Sequence, residues 1–127
     1  MFSHIMLGAS DIDESKRFYD ATLGALGVKP GTVDDKGRCF YRTKTGVFAL
    51  SKPIDGQPAC NGNGSTIGFA AESTEAADAW HQAGLANGGV ACEDPPGVRE
   101  GAGGVKLYLA YLRDPAGNKI CALHRVA

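Results

Sequence analysis

Apolar positions in this chain fall into two alternating periodicities. Over residues 2–9, Ile5 and Leu7 alternate with His4 and Met6, the period-two pattern of a strand with one face on a helix. Asp11, with Glu14 three residues on, reads as a capping box, and the following helix gathers Ile12, Phe18, Tyr19, Leu23 and Leu26 on one side. Gly24 and Gly27 end that helix and Pro30 confirms the break. Three short strands are predicted near 28–34, 37–43 and 46–52, the last two joined through Lys44-Thr45-Gly46.

The same order then returns. Laying the chain on itself pairs Ser3 with Ser65, Ile5 with Ile67, Leu7 with Phe69, Phe18 with Trp80, Leu23 with Leu85, Gly27 with Gly89 and Val28 with Val90, without a gap over about twenty-six residues. The second copy predicts a strand at 65–71, a helix at 73–87, and strands after Gly89, of which 106–113 and 119–125 are clearest, joined through 114–118. Pro95-Pro96 and the run from Gly101 to Gly104 predict a loose loop before them. Two copies about 60 residues apart are too few and too long for a solenoid, so two facing halves with a cleft between them are expected. The fold class is α+β, with two βαβββ modules in tandem forming a cup-shaped mixed sheet with flanking helices. One domain is expected over 1–127: module 1 about 1–52, a Pro-, Gly- and Asn-rich linker at 53–64, and module 2 about 65–127.

Composition narrows the partners. At 127 residues and 43% apolar content the chain can build a core, and 13 basic against 14 acidic residues, mixed along it, give no field for nucleic acid or an anionic membrane. The start carries no leader-like pattern and no apolar run approaches spanning length, so a cytoplasmic protein is expected. Cys39, Cys60, Cys92 and Cys121 form no C-x-x-C pair and read as free thiols. Gly62-Asn63-Gly64 leads into a strand rather than a helix, so no nucleotide cofactor is implied.

The paired βαβββ order, His4-Ile5 followed by residues 11–19 and Leu23-Gly24, and the closing Arg113-Asp114-Pro115-Ala116-Gly117-Asn118-Lys119-Ile120 together resemble the vicinal oxygen chelate superfamily of glyoxalase I, bleomycin-resistance proteins and extradiol dioxygenases. The resemblance covers essentially the whole chain. It implies that any divalent ion would be held by the first and last strands of each module. Of the positions it points to, His4 is a usual ligand; Thr66 stands where a second histidine often sits, Cys121 where a glutamate often closes the set, and 47–51 offers neither carboxylate nor imidazole. An ion that must bind two substrate oxygens needs several protein ligands while keeping open positions, so this set is depleted and no metal is expected; His4 and Cys121 are the candidates if one is bound.

The residues admit other roles. His4 can contact a ligand or simply bond a neighbouring carbonyl; Cys121 can be a small buried apolar residue or, beside an imidazole, a reactive thiolate. By the resemblance Tyr108 lines the cup and orients a bound oxygen, its alternative role being packing. Arg38, with Tyr41, Arg99 and Lys106, can recognise an anion or serve as a solvated edge charge. Trp80, Phe18 and Tyr19 read as core, and His81 and His124 as solvent-facing.

The expected function is a metal-independent small-molecule-binding protein with candidate ligand contacts at His4, Thr66, Tyr108, Cys121 and Arg38. The alternative is a metal-dependent lyase, isomerase or dioxygenase using His4 and Cys121, and the catalytic question stays open. A further reading is an accessory dimer whose cup is packed shut by Phe2, Met6, Phe40 and Leu123. A homodimer is expected because isologous pairs are the commonest soluble assembly.

Overall fold

A computed structural model describes residues 1–126. The first copy gives β1 (His4–Gly8), α1 (Ile12–Ala25), β2 (Thr32–Val33), β3 (Cys39–Arg42) and β4 (Val47–Ser51). The second gives β5 (Ile67–Ala70), α2 (Thr74–Ala86), β6 (Val90–Ala91), β7 (Gly97–Glu100), β8 (Lys106–Arg113) and β9 (Lys119–Arg125). A single 3-10 turn at Ala102–Gly104 precedes β8. The fold is a mixed α+β arrangement of two helices and two open mixed sheets. Sheet A runs β1-β4-β3-β2; in sheet B the order is β5-β9-β8-β6, with β7 also on β8. In each sheet the first strand pairs in parallel with the last strand of its own copy, and the other pairings are antiparallel.

Local chemistry sets the helix ends. Asp11 Oδ1 accepts the Glu14 amide, and Ser73 Oγ accepts the Ala76 amide, each satisfying a donor of the opening turn. At the end of α1 the Val28 amide reaches back to the Leu23 carbonyl and Gly27 takes φ 88°, a Schellman close that needs glycine.

Two expectations are refined. The strand sought at 28–34 shrinks to Thr32–Val33, since Pro30 has no amide to give a ladder. The second strand of the second copy, the one after its helix, is split: β6 pairs with the 112–113 end of β8 and β7 with its 106–109 end, and Pro95-Pro96 sits in the break, where two residues lack donors.

Both helices lie on the same side of their sheets and pack on each other, so the copies share one core. α1 buries Ser15, Phe18, Tyr19, Thr22 and Leu23; α2 buries Ala77, Trp80, His81 and Gly84, the matching positions of the repeat apart from Leu85, which is exposed. His81 therefore occupies the place of Tyr19 and is buried, not solvent-facing as expected; the helix turn that buries Trp80 carries its neighbour inward too. His124 is half-buried, its Nδ1 3.0 Å from the Ala71 carbonyl oxygen. Phe18, Tyr19 and Trp80 are fully buried, and each contributes roughly 1.5–3 kcal/mol of hydrophobic stabilisation. Where two helices come this close something must be small: a Cβ at Gly84 would stand 2.2 Å from Leu112 Cδ1 and 3.2 Å from Phe18 Cε1.

The second fastening is polar. Asp114, at the β8–β9 turn, accepts the amides of Ala116 and Asn118 on Oδ1, and the Asn118 side-chain amide and the Tyr19 hydroxyl on Oδ2. The Asn118 side chain also donates to the Gly8 carbonyl of β1 at 2.9 Å. The closing Asp-Pro-Ala-Gly-Asn turn thus ties the last hairpin to the first strand and helix.

Candidate functional site

With the helices on one side, each sheet leaves its other face uncovered, and strand register fixes what stands there. On sheet A, Met6 lies beside Ala49 and Ala49 beside Phe40, while His4 lies beside Val47 and Val47 beside Arg42. On sheet B the corresponding row is Gly68, Cys121 and Tyr111, with Lys119 beside Arg113 in the next. The internal symmetry therefore sets Cys121 in the place of Ala49, Tyr111 in that of Phe40 and Thr66 in that of His4.

A cavity of about 310 Å³ opens at the seam between the copies. Its walls are Phe2, His4 and Ile5 around the start of β1, Thr43 and 45–48 around the β3–β4 hairpin, all of β5, and Leu23, Val28 and Tyr41 behind them. Most of this lining is apolar. His4 is exposed at the wall, with Nδ1 2.8 Å from Ser3 Oγ, leaving Nε2 as the remaining polar atom of the ring. Thr43 Oγ1 donates to the Gly46 carbonyl and shares a 3.2 Å contact with Thr45 Oγ1, so the hairpin presents hydroxyls on a fixed turn. Tyr41 is committed: its hydroxyl donates to Asp20 Oδ1 at 2.8 Å, and burial, with that carboxylate, pushes its pKa far above the ordinary phenol value. It stays neutral and cannot exchange a proton with a ligand near neutral pH.

The structure brings some of the sequence candidates together and separates others. His4 lines the cavity, and Thr66 is exposed just ahead of β5, outside the lining. Cys121 stands behind Gly68, its Sγ 3.2 Å from where a Gly68 Cβ would be, and the thiol is buried. Burial pushes the Cys121 thiol up, with Glu93 and Cys92 adding to the shift and Lys119 opposing it; histidine plays no part. The thiolate reading was conditional on an imidazole beside Cys121, and none contributes to this shift within one chain. Tyr108 turns to the helix side, where its hydroxyl donates to Asp78 Oδ1 of α2 at 2.7 Å, so it takes the packing role. Arg38 is tied to Asp34 by a 2.7 Å ion pair and lies 5.4 Å from the Phe40 ring centre. Arg99 spends its guanidinium on the carbonyls of Asp94, Pro95, Gly97 and Leu109. Phe2 and Met6 are 70% and 41% exposed, so within one chain these two do not pack the cup shut.

Metal fit can be tested on the donors themselves. The uncovered-face neighbours of His4 are Val47, Met6 and Ala49, none a ligand, and Cys121 is a buried protonated thiol. Among the described residues no three of His, Cys, Asp and Glu are grouped to hold an ion.

Sequence reasoning missed a group beside Cys121. Tyr111 lies next to it in register, with Lys119 Nζ 5.1 Å and Arg99 Cζ 5.8 Å from the centre of the Tyr111 ring, and Lys119 paired to Glu93. A signal existed: the tight turn at 114–118 fixes the hairpin register and so pairs 111 with 121.

Comparison with known proteins agrees with this architecture. The model of the Glyoxalase/Bleomycin resistance protein/Dioxygenase superfamily matches residues 1–122. A crystal structure of a glyoxalase/bleomycin resistance protein from Albidiferax ferrireducens T118 is 63% identical, covering 98% of this chain and 99% of that one, with a TM-score of 0.94. Two more distant structures share the fold alone. A glyoxalase-related enzyme from Fulvimarina pelagi is 18% identical over 98% of this chain and 87% of its own, TM-score 0.72. Lactoylglutathione lyase from Agrobacterium tumefaciens is 19% identical over 98% and 92%, TM-score 0.64. No curated protein matches. The two βαβ-led copies, their shared core and the seam between them are thus those of a known family, and the chain belongs to the Glyoxalase/Bleomycin resistance protein/Dioxygenase superfamily.

Proposed function

We propose that this protein binds a compact, largely apolar small molecule in the seam cavity, without a metal ion. The observation that carries this reading is the cavity itself: about 310 Å³ is at the lower end of small-molecule sites, and its walls are mainly Phe2, Ile5, Leu23, Val28, Phe48, Ile67 and Phe69. An apolar body gains from leaving water, roughly 25 cal/mol per Å² buried. His4 and the Thr43–Thr45 hydroxyls at the edge supply the few polar contacts that orient it. The poverty of metal donors around His4 supports binding rather than chelation.

The same reading places the protein in the cytoplasm as a homodimer that takes neither nucleic acid nor membrane as a partner. No helix among the described residues is long and apolar enough to cross a membrane. Exposed Phe2 and Met6 beside the cavity support self-association, because apolar surface of this kind is normally covered. Light scattering behind size exclusion reads the assembly directly.

Binding is tested by screening small aromatic compounds for thermal stabilisation, with and without EDTA, on protein whose metal content is measured. Metal-free protein, stabilisation unaffected by EDTA, and its loss in Val47→Trp, which fills the cavity wall, are expected. A stoichiometric ion, or stabilisation that disappears with the chelator, would overturn the reading.

A further inference from the structure

Sheet A closes at its far end on a second cavity, of about 350 Å³, that the seam does not reach. β4 runs from one to the other: Val47 at its start lines the seam, while Ser51 at its end and Lys52 just beyond line this one. The facing walls are Ile12 and Asp13 from the first turn of α1, and Val33 and Lys36 from the β2–β3 hairpin. Val33 lies in register with Cys39, whose side chain is in the core, so the cavity belongs to the helix side of sheet A and not to the uncovered face.

Three charges line it. Asp34, two residues from Lys36, accepts the Lys36 and Arg38 amides on Oδ1 and gives its charge to the Arg38 guanidinium. The turn is closed by Gly37 at φ 79°, whose amide donates to the Asp34 carbonyl, and so the backbone carrying Lys36 is fixed. Opposite, the Ala9 amide donates to the Ser51 carbonyl and Ser51 Oγ to the Lys52 carbonyl. Asp13 is not needed as a helix cap, because Asp11 performs that role. Among the described residues no ion pair takes up Lys36, Lys52 or Asp13. Two ammonium groups on one cavity draw an anion, and a carboxylate on the same wall favours an anion that also carries a cation.

We propose that this cavity binds a free α-amino acid with a branched apolar side chain, its carboxylate between Lys36 and Lys52, its ammonium on Asp13 and its side chain against Ile12 and Val33. Each part suits that ligand. The lysines and Asp13 match both charges of the zwitterion. Val33, 49% exposed, and the half-buried Ile12 offer apolar surface that gains from being covered. The volume is at the lower end of small-molecule sites, which suits one amino acid rather than a peptide. This site is distinct from the seam cavity and does not rest on the binding reading given for it.

The probe is L-leucine, followed by backbone amide NMR shifts at low salt, with isocaproate, which lacks the ammonium, and isoamylamine, which lacks the carboxylate, as its half-charged analogues. Leucine is expected to shift the amides of Val33, Lys36 and Lys52 with a Kd on the order of 1 mM, to leave those of Gly68 and Phe69 in the seam unmoved, and to bind about tenfold more tightly than either analogue. Lys36→Met and Lys52→Met are each expected to weaken leucine about tenfold, and Asp13→Asn to remove the preference for leucine over isocaproate. All three positions are exposed, so the variants keep the fold. No shifts with millimolar leucine, isocaproate bound as tightly as leucine by the parent, leucine binding that survives both lysine substitutions together, or shifts confined to the seam would each overturn the proposal.

Discussion

The Tyr19 hydroxyl donates a 2.6 Å hydrogen bond to Asp114 Oδ2, joining residues 95 apart in sequence at a point from which water is excluded. The phenol is held far above its ordinary pKa, first by burial and then by the Asp114 charge, so it remains a donor at any pH the fold survives. Asp114 collects donors from its own turn and from α1, which makes this side chain the junction of the two copies.

Tyr19→Phe should therefore lower unfolding free energy by about 1.5–3 kcal/mol, the range for a buried bond to a charged acceptor. Asp114→Ala should cost more, because it strands several buried donors at once. Urea titration monitored by Trp80 fluorescence measures both. A Tyr19→Phe protein as stable as the parent would remove the junction from the account.

His81 gives a pH dependence with a definite sign. Its folded pKa lies below the ordinary 6.5, chiefly through burial, although the Tyr111 backbone and Asp78 pull the other way. As pH falls below 6.5 the unfolded chain takes up the proton before the folded one, so stability present above 6.5 is lost as pH drops toward the folded value. Denaturant midpoints between pH 8 and 5 should fall in the parent and fall less in His81→Gln. Parallel curves would show that the loss comes from other groups.

Two glycines of the helices should respond oppositely to alanine. Gly84→Ala forces a methyl into Leu112 and Phe18 and should cost about 1–3 kcal/mol by overpacking. Gly24→Ala meets nothing within 4 Å and should be neutral or stabilise by up to about 1 kcal/mol through helix propensity. Thermal melts of the pair decide it, and destabilisation by Gly24→Ala alone would contradict the packing described.

The thiols should alkylate in order of access. Cys60 is exposed and Cys92 half-exposed, while Cys39 and Cys121 are buried with thiols pushed up by that burial. Timed iodoacetamide labelling read by mass spectrometry should modify Cys60 first and leave Cys39 and Cys121 intact until denaturant is added. Rapid labelling of Cys121 in the folded protein would restore it as a nucleophile candidate.

The chain alone determined its architecture because the architecture depends on local rules. Period-two and helical spacing, Asp11 and Ser73 at helix starts, Gly27 at a helix end and the tight 114–118 turn are all short-range, and the repeat doubled the signal. The matching of Ile5 with Ile67 and Phe18 with Trp80 was enough to show two copies, though not that their helices pack into one core. Only tertiary structure decided the rest. Whether His81 faces water, whether Tyr108 turns to the helix or the open face, and whether an imidazole reaches Cys121 depend on which side of each sheet the helices cover. That choice is made by burial summed over the whole core and leaves no mark on any single residue. The closing Asp114-to-Asn118 motif shows the difference: its sequence identified the family, but only the fold revealed that its carboxylate holds Tyr19.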